Sequence, residues 1–133
     1  MIFLFFVLII LFGVFITSSK RHSIKNDIKL TAGVVYEINI LPKSAGSIFL
    51  RSRYKVNDGS YELYQSIKYV SNLREKISDL LNKKRIQIAY EAGNPSNAEL
   101  IITKNQYAYF QLSIPVEFSG IVNAVDSICA LGK

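Results

Sequence analysis

The chain of 133 residues contains no tryptophan, one histidine and one cysteine. With Cys129 alone, no intrachain disulfide framework can form. With His22 as the only imidazole, the usual His/Cys zinc sets are excluded too. A glycine-rich phosphate loop is missing, since Gly93 lacks both the flanking glycines and the Lys-Ser/Thr pair that such a loop needs. The carboxylates Glu37, Asp58, Glu62, Glu75, Asp79, Glu91 and Glu99 show no close pair at metal-ligand or acid/base spacing. Cys129 stands among Ile128, Ala130 and Leu131 and reads as a small buried hydrophobe rather than a nucleophile. No catalytic residue, metal or cofactor is expected, and the chain reads as a non-enzyme.

Apolar sequence is abundant at the start. Met1 to Ser19 carry no charge and consist mostly of Ile, Leu, Val and Phe. As a helix they would span roughly 28 Å, close to the hydrocarbon thickness of a bilayer. Residues 1–19 are therefore expected to be a transmembrane anchor, followed by a basic juxtamembrane linker over 20–30. Lys20, Arg21 and Lys25 in that linker could meet anionic lipid headgroups. All the flanking cations lie C-terminal to the run, which argues for a cytoplasmic domain with the bilayer, and a membrane protein, as partners. The alternatives are an exported or periplasmic factor whose apolar segment is a cleaved signal peptide, with Thr17 and Ser19 as small residues near the cleavage point, and a lipid-contacting accessory of the bacterial envelope.

What remains is about one hundred residues, one small domain with a modest core. The formal charge of +6 is dispersed among 16 basic and 10 acidic residues. From Thr31 onward the apolar period is two. Tyr36, Ile38 and Ile40, with Val34, define the buried face of a first strand, while Glu37 and Asn39 face away. Gly33 marks a bulge or a close backbone approach. Pro42 to Gly46 reads as a turn. A second strand over Ser47 to Val56 sets Ile48, Leu50, Tyr54 and Val56 against Phe49, Arg51, Arg53 and Lys55. Asn57-Asp58-Gly59 is a hairpin turn leading into a return strand through Tyr61, Leu63 and Ile67.

The period becomes helical near 72–84, where Leu73, Ile77, Leu80 and Leu81 share a face and Asn72 with Glu75 could cap. Arg85 to Tyr90 alternates again. Ala92 to Asn97, with Asn94-Pro95 as turn residues, interrupts the chain before a short strand at Leu100 and Ile102. Tyr107, Tyr109, Phe110, Leu112 and Ile114 suggest a further strand stopped by Pro115. The expected fold is mainly β with one inserted short helix. It is a small barrel or strongly curled antiparallel sheet over 31–118, with an amphipathic helix over 119–133, capped by Ser119, packed against it or lying on the membrane.

Three stretches together carry a family resemblance: Thr31-Ala32-Gly33-Val34-Val35, Tyr54-Lys55-Val56-Asn57-Asp58-Gly59-Ser60-Tyr61, and the closing segment from Ile86 to Leu100. In this order they resemble a bacterial domain-of-unknown-function family, number 3592. The resemblance implies a small membrane-associated protein with a compact β-rich domain. It carries no catalytic residues.

Tyr54, Tyr61, Tyr64 and Tyr69 lie near Arg51, Arg53 and Lys55, a mixture that could bind single-stranded nucleic acid. Tyr54, however, points away from the three cations, because strand neighbours alternate faces. Core tyrosines beside a solvated basic face are the simpler expectation, and nucleic acid is not expected as a partner. The function expected from these features is a membrane-anchored interaction or scaffold domain.

Overall fold

A computed structural model describes residues 20–40, 47–68 and 74–131. Residues 20–26 are helical (α1). There follow β1 (Ile28–Ile40), β2 (Ser47–Val56), β3 (Gly59–Lys68), α2 (Arg74–Leu81), β4 (Arg85–Glu91), β5 (Asn94–Ile101), α3 (Lys104–Tyr109) and α4 (Val116–Leu131).

All strand pairs are antiparallel, in the order β3-β2-β1-β4-β5. The long β1 is shared. Its first half pairs with β4, from Ile28 opposite Glu91 to Val34 opposite Arg85. Its second half pairs with β2, from Gly33 opposite Tyr54 to Ile40 opposite Ile48. The sheet curls until its outer strands meet. There the Gln65 side-chain amide takes the place of a strand partner: Leu100 N donates to its Oε1 at 2.9 Å, and its Nε2 donates to Leu100 O at 3.1 Å. Three meandering strands, with a fourth returning beside the first, form a Greek key. The result is a nearly closed five-stranded antiparallel sheet with interspersed helices.

The barrel interior holds Val35, Ile48, Leu50, Tyr54, Ile86, Ile88 and Leu100, with Ile77 and Leu81 of α2 and Val125 of α4 packed into the same cluster. β4 is buried on both faces. Its Ala89 joins a second cluster with Ile24 of α1, Tyr107 of α3, Phe110, and Val122 of α4. Gln87 is tolerated there because the Tyr107 hydroxyl donates to its Oε1 at 2.7 Å. Helices thus cover the outside of β4, while the outer face of β1, β2 and β3 is left bare.

Several expectations are corrected. Among the described residues no helix is long and apolar enough to cross a membrane, and the anchor expected at 1–19 lies outside them. The reading of a single-pass membrane protein, with the bilayer as partner and a cytoplasmic domain, is withdrawn for want of a spanning helix. Residues 20–30 are not a linker: α1 buries Ile24, and Ile28 already pairs with Glu91. The turn expected at Pro42–Gly46 and the cap at Asn72 also lie outside the described residues.

The first strand contains a bulge between Val35 and Glu37. It reverses the expected phase, so that Val35 is fully buried and Val34 is 42% exposed. The cause is tertiary. Val35 N donates to Lys84 O at 3.2 Å and Lys83 N donates to Val35 O at 2.8 Å, so the α2–β4 connection holds Val35 on its β4 side. No sixth strand forms among the described residues at Tyr107–Ile114. Instead Thr103 and Gln106 complete a capping box that starts α3 and sends Tyr107 and Phe110 into the core. α4 begins at Val116 rather than at Ser119, whose hydroxyl bonds back to Val116 O at 2.8 Å.

Candidate functional site

The bare outer face is built by alternation along three strands. Arg51 and Arg53 of β2 stand opposite Tyr64 and Glu62 of β3, and Arg51 also stands opposite Glu37 of β1. The Arg51 guanidinium bonds Glu37 at 3.0 Å and reaches Glu62 at 3.6 Å, while Arg53 bonds Glu62 at 3.3 Å. The aromatic rings use the guanidinium faces: Arg53 lies 4.0 Å from the Tyr36 ring centroid and Arg51 lies 4.6 Å from that of Tyr64. Tyr64 Oη donates to Glu62 at 3.3 Å, and Asn39 Nδ2 donates to Glu37 at 3.2 Å.

This network sets the protonation states. Hydrogen bonds from Arg51 and then Asn39 hold the Glu37 carboxyl below its ordinary range. Burial pushes Glu62 up, but the hydrogen bond from Arg53, the nearby Tyr36 hydroxyl and the charge of Arg51 outweigh it, leaving this carboxyl low as well. The bond to Glu37 raises Arg51, and burial followed by the proximity of Glu62 raises the Tyr36 phenol. At neutral pH the face therefore carries two carboxylates locked onto two guanidiniums.

Tyr64, 63% exposed, is the most open aromatic ring on this face, and Phe49 is 40% exposed. Three depressions meet at Tyr64. One of about 300 Å³ lies between it, Phe49, Arg51 and Asn39. One of about 500 Å³ is lined by Gln65, Asn97, Glu99 and Arg21. The third, about 610 Å³, runs toward Asn94 and Ser96. A larger groove of about 690 Å³ opens where β1 changes partners, walled by Arg53, Lys55 and Arg85.

The expected membrane-surface cations lie elsewhere in the fold. Arg21 Nε bonds Glu99 at 2.8 Å, its guanidinium stacks 3.9 Å from the Tyr109 ring centroid, and Lys25 Nζ lies 5.0 Å from the same ring. Lys20 is exposed and its carbonyl accepts from Asn97 at 3.2 Å. Asn57 and Asp58 form the two-residue turn between paired Val56 and Gly59, with the left-handed conformation taken by Asn57 at φ 53°. Asn94 and Pro95 belong to β5, and the preceding turn is Ala92-Gly93. Pro95 is accepted because β5 ends the strand order, where a missing N–H costs little, and its carbonyl accepts the Tyr54 hydroxyl at 2.6 Å.

The alternation of β2 sets Phe49 with Arg51 and Arg53, as expected, but Tyr36 and Tyr64 on the same face were not expected. Tyr54 and Tyr61 do stack inside the barrel, with ring centroids 5.5 Å apart. Tyr36, Phe49 and Tyr64 occupy the cationic face instead. Alternation alone puts Phe49 with Arg51, and the hairpin register adds Tyr64, whereas Tyr36 arrives only through the bulge. Among the described residues no group of three or more His, Cys, Asp or Glu gathers as metal ligands would. No protein-family profile, curated protein or solved structure matches the chain.

Proposed function

We propose that this chain is a non-catalytic, OB-type binding domain that lays an extended glycan across the outer face of β1, β2 and β3. Tyr64 carries the reading: an exposed ring, braced by Arg51, at the meeting point of three depressions. Such a ring offers an apolar platform to the C–H face of a sugar. The fixed edges of Glu37, Arg51 and Asn39 offer acceptors and donors to hydroxyls. Barrels of this architecture use the same face for oligosaccharides and oligonucleotides, a likeness of fold that supports the reading without deciding between them. Charge decides. Arg51 and Arg53 are already paired with Glu37 and Glu62, so a phosphate chain would compete with fixed carboxylates, whereas a neutral sugar chain leaves those pairs intact.

The domain is further proposed to act as an exported factor, released from an apolar leader. Small residues, Thr17 and Ser19, end the apolar run, and the body begins directly after it with α1. Mass spectrometry of the natively expressed protein should find an N-terminus near Lys20; retention of residues 1–19 would refute the export half of the proposal. Glycan binding is tested by NMR titration of the full chain with N-acetylglucosamine oligosaccharides and, separately, with oligo-dT. The expected result is saturable glycan binding that Tyr64→Ala weakens at least tenfold. Tighter binding of oligo-dT, or glycan binding indifferent to Tyr64→Ala, would overturn the glycan reading.

A further inference from the structure

The groove at the fork of β1 has a chemistry unlike that of the Tyr64 face. Gly33 and Val34 pair with both neighbours of β1, and beyond them β2 and β4 diverge. Past Tyr54 the link described between β1 and the hairpin is a side-chain bond, Thr31 Oγ1 to Lys55 O at 3.2 Å. The space opened there measures about 690 Å³, within the range of small-molecule sites. Its floor is apolar, formed by Ala32, Gly33 and the 42% exposed Val34. The absence of a Cβ at Gly33 allows the backbones to close beneath it, for a Cβ would lie 2.7 Å from Arg53 O and 2.5 Å from Ile88 Cδ1.

Around this floor stand three cations, Arg53, Lys55 and Arg85, against one carboxylate, Glu62. Glu62 is engaged by Arg53, and Arg85 reaches outward to Glu117 at 3.3 Å. Lys55 enters no ion pair among the described residues. The hydroxyl of Ser60 lines the same space. With Glu117 counted, three cations here meet two carboxylates and the excess is the Lys55 ammonium, whereas on the Tyr64 face Arg51 and Arg53 are matched by Glu37 and Glu62.

We infer that the fork groove is a second binding site, for a small amphipathic anion. Its apolar body lies on Ala32 and Val34, and its carboxylate, sulfate or phosphate head meets Lys55, with Arg85, held by Glu117, at the rim. A bare inorganic anion would leave the apolar floor unused, and an apolar molecule without a head would leave the Lys55 ammonium unmatched. The site shares no ligand atom with the Tyr64 platform, so each can fail without the other.

The test is a residue-resolved NMR titration of the full chain with octyl sulfate, octyltrimethylammonium and inorganic sulfate, the two amphiphiles held below micelle-forming concentration. Octyl sulfate is expected to saturate the amide shifts of Ala32, Val34 and Lys55, with the other two probes at least tenfold weaker. Lys55→Glu and Val34→Glu, both at exposed positions, should each lower octyl sulfate affinity at least tenfold, while Tyr64→Ala leaves it unchanged. Equal binding of the two amphiphiles would overturn the role of charge. Equal binding of inorganic sulfate would overturn the role of the floor. Full affinity in Lys55→Glu, or shifts centred outside the groove, would overturn the site itself.

Discussion

Replacing Gln65 with alanine asks how far one side chain closes the barrel. Gln65 makes two bonds to Leu100, but they are not equivalent. The Leu100 carbonyl also accepts from Gln106 Nε2 at 2.8 Å, so it keeps a partner when Gln65 is shortened. The Leu100 N–H has Gln65 Oε1 as its partner across the seam, and in Gln65→Ala it would be left without it. An orphaned, partly enclosed donor costs about 1–3 kcal/mol and the lost second bond somewhat less, so a destabilisation of about 2 kcal/mol is expected. Urea denaturation followed by far-ultraviolet circular dichroism reads the global loss. Amide hydrogen exchange reads the local one: protection at Leu100 should fall roughly thirtyfold, at 1.4 kcal/mol per factor of ten. Gln65→Glu keeps an acceptor for the N–H but sets a second oxygen against Leu100 O, so it should recover only part of that protection at neutral pH. A loss below about 0.5 kcal/mol, with Leu100 protection unchanged, would refute the view that this amide stands in for a strand.

Gly33→Ala should lower stability by about 1–3 kcal/mol, because the new methyl meets a fixed carbonyl as well as the movable tip of Ile88; an unchanged melting temperature would contradict the close approach at the fork. Ser52 is fully buried in the barrel and its Oγ has no hydrogen-bond partner among the described residues. Ser52→Ala should therefore raise stability by about 1 kcal/mol, seen as a rise of several degrees in thermal unfolding, and a fall of that size would show the hydroxyl to be bonded. Burial, followed by the neighbouring charge of Tyr61 for one and Glu117 for the other, pushes Tyr54 and Tyr107 up from 10.0 to about 12. Folded phenols that hold their protons more tightly contribute stability that is fully present below pH 10 and lost as pH rises toward about 12. Denaturation midpoints should fall across that interval, with phenolate absorbance rising alongside unfolding; constant midpoints would refute the assignment.

Much of the sheet was legible in the chain itself. The alternation of β2 reports burial directly, that of β4 only its inward face, since Gln87 and Ala89 are buried too, and Asn57-Asp58 marks the hairpin. β1 misleads because its phase is set from outside: the hold of Lys83 and Lys84 on Val35 cannot be read from residues 31–40. The segment after Ile101 misleads for another reason. Its aromatic spacing suits a strand, while the Thr103/Gln106 pair that makes it a helix was visible as a capping box. Pro95 reads as a turn residue until β5 is known to end the strand order. For the outer face, the residue types were evident, but pairing Arg51 with Glu37 and Tyr64 required the register of three strands. The apolar start dominates the hydropathy of the sequence, yet the described fold contains no spanning helix.

The division of β1 between two neighbours also orders events in time. Its second half has β2 close by in sequence, and β2 finds β3 across a two-residue turn, so these pairings are local. Ile28–Ala32 have no strand partner until Arg85–Glu91 has been synthesised, when Ile28 can meet Glu91. A nascent chain can thus zip the β1–β2–β3 meander early, while Ile28–Ala32 wait longest for a partner and the barrel stays open. Synthesis of β4 gives Ile28–Ala32 their partner, but only the arrival of Leu100 on β5 beside Gln65 turns a threadable polypeptide into a closed body.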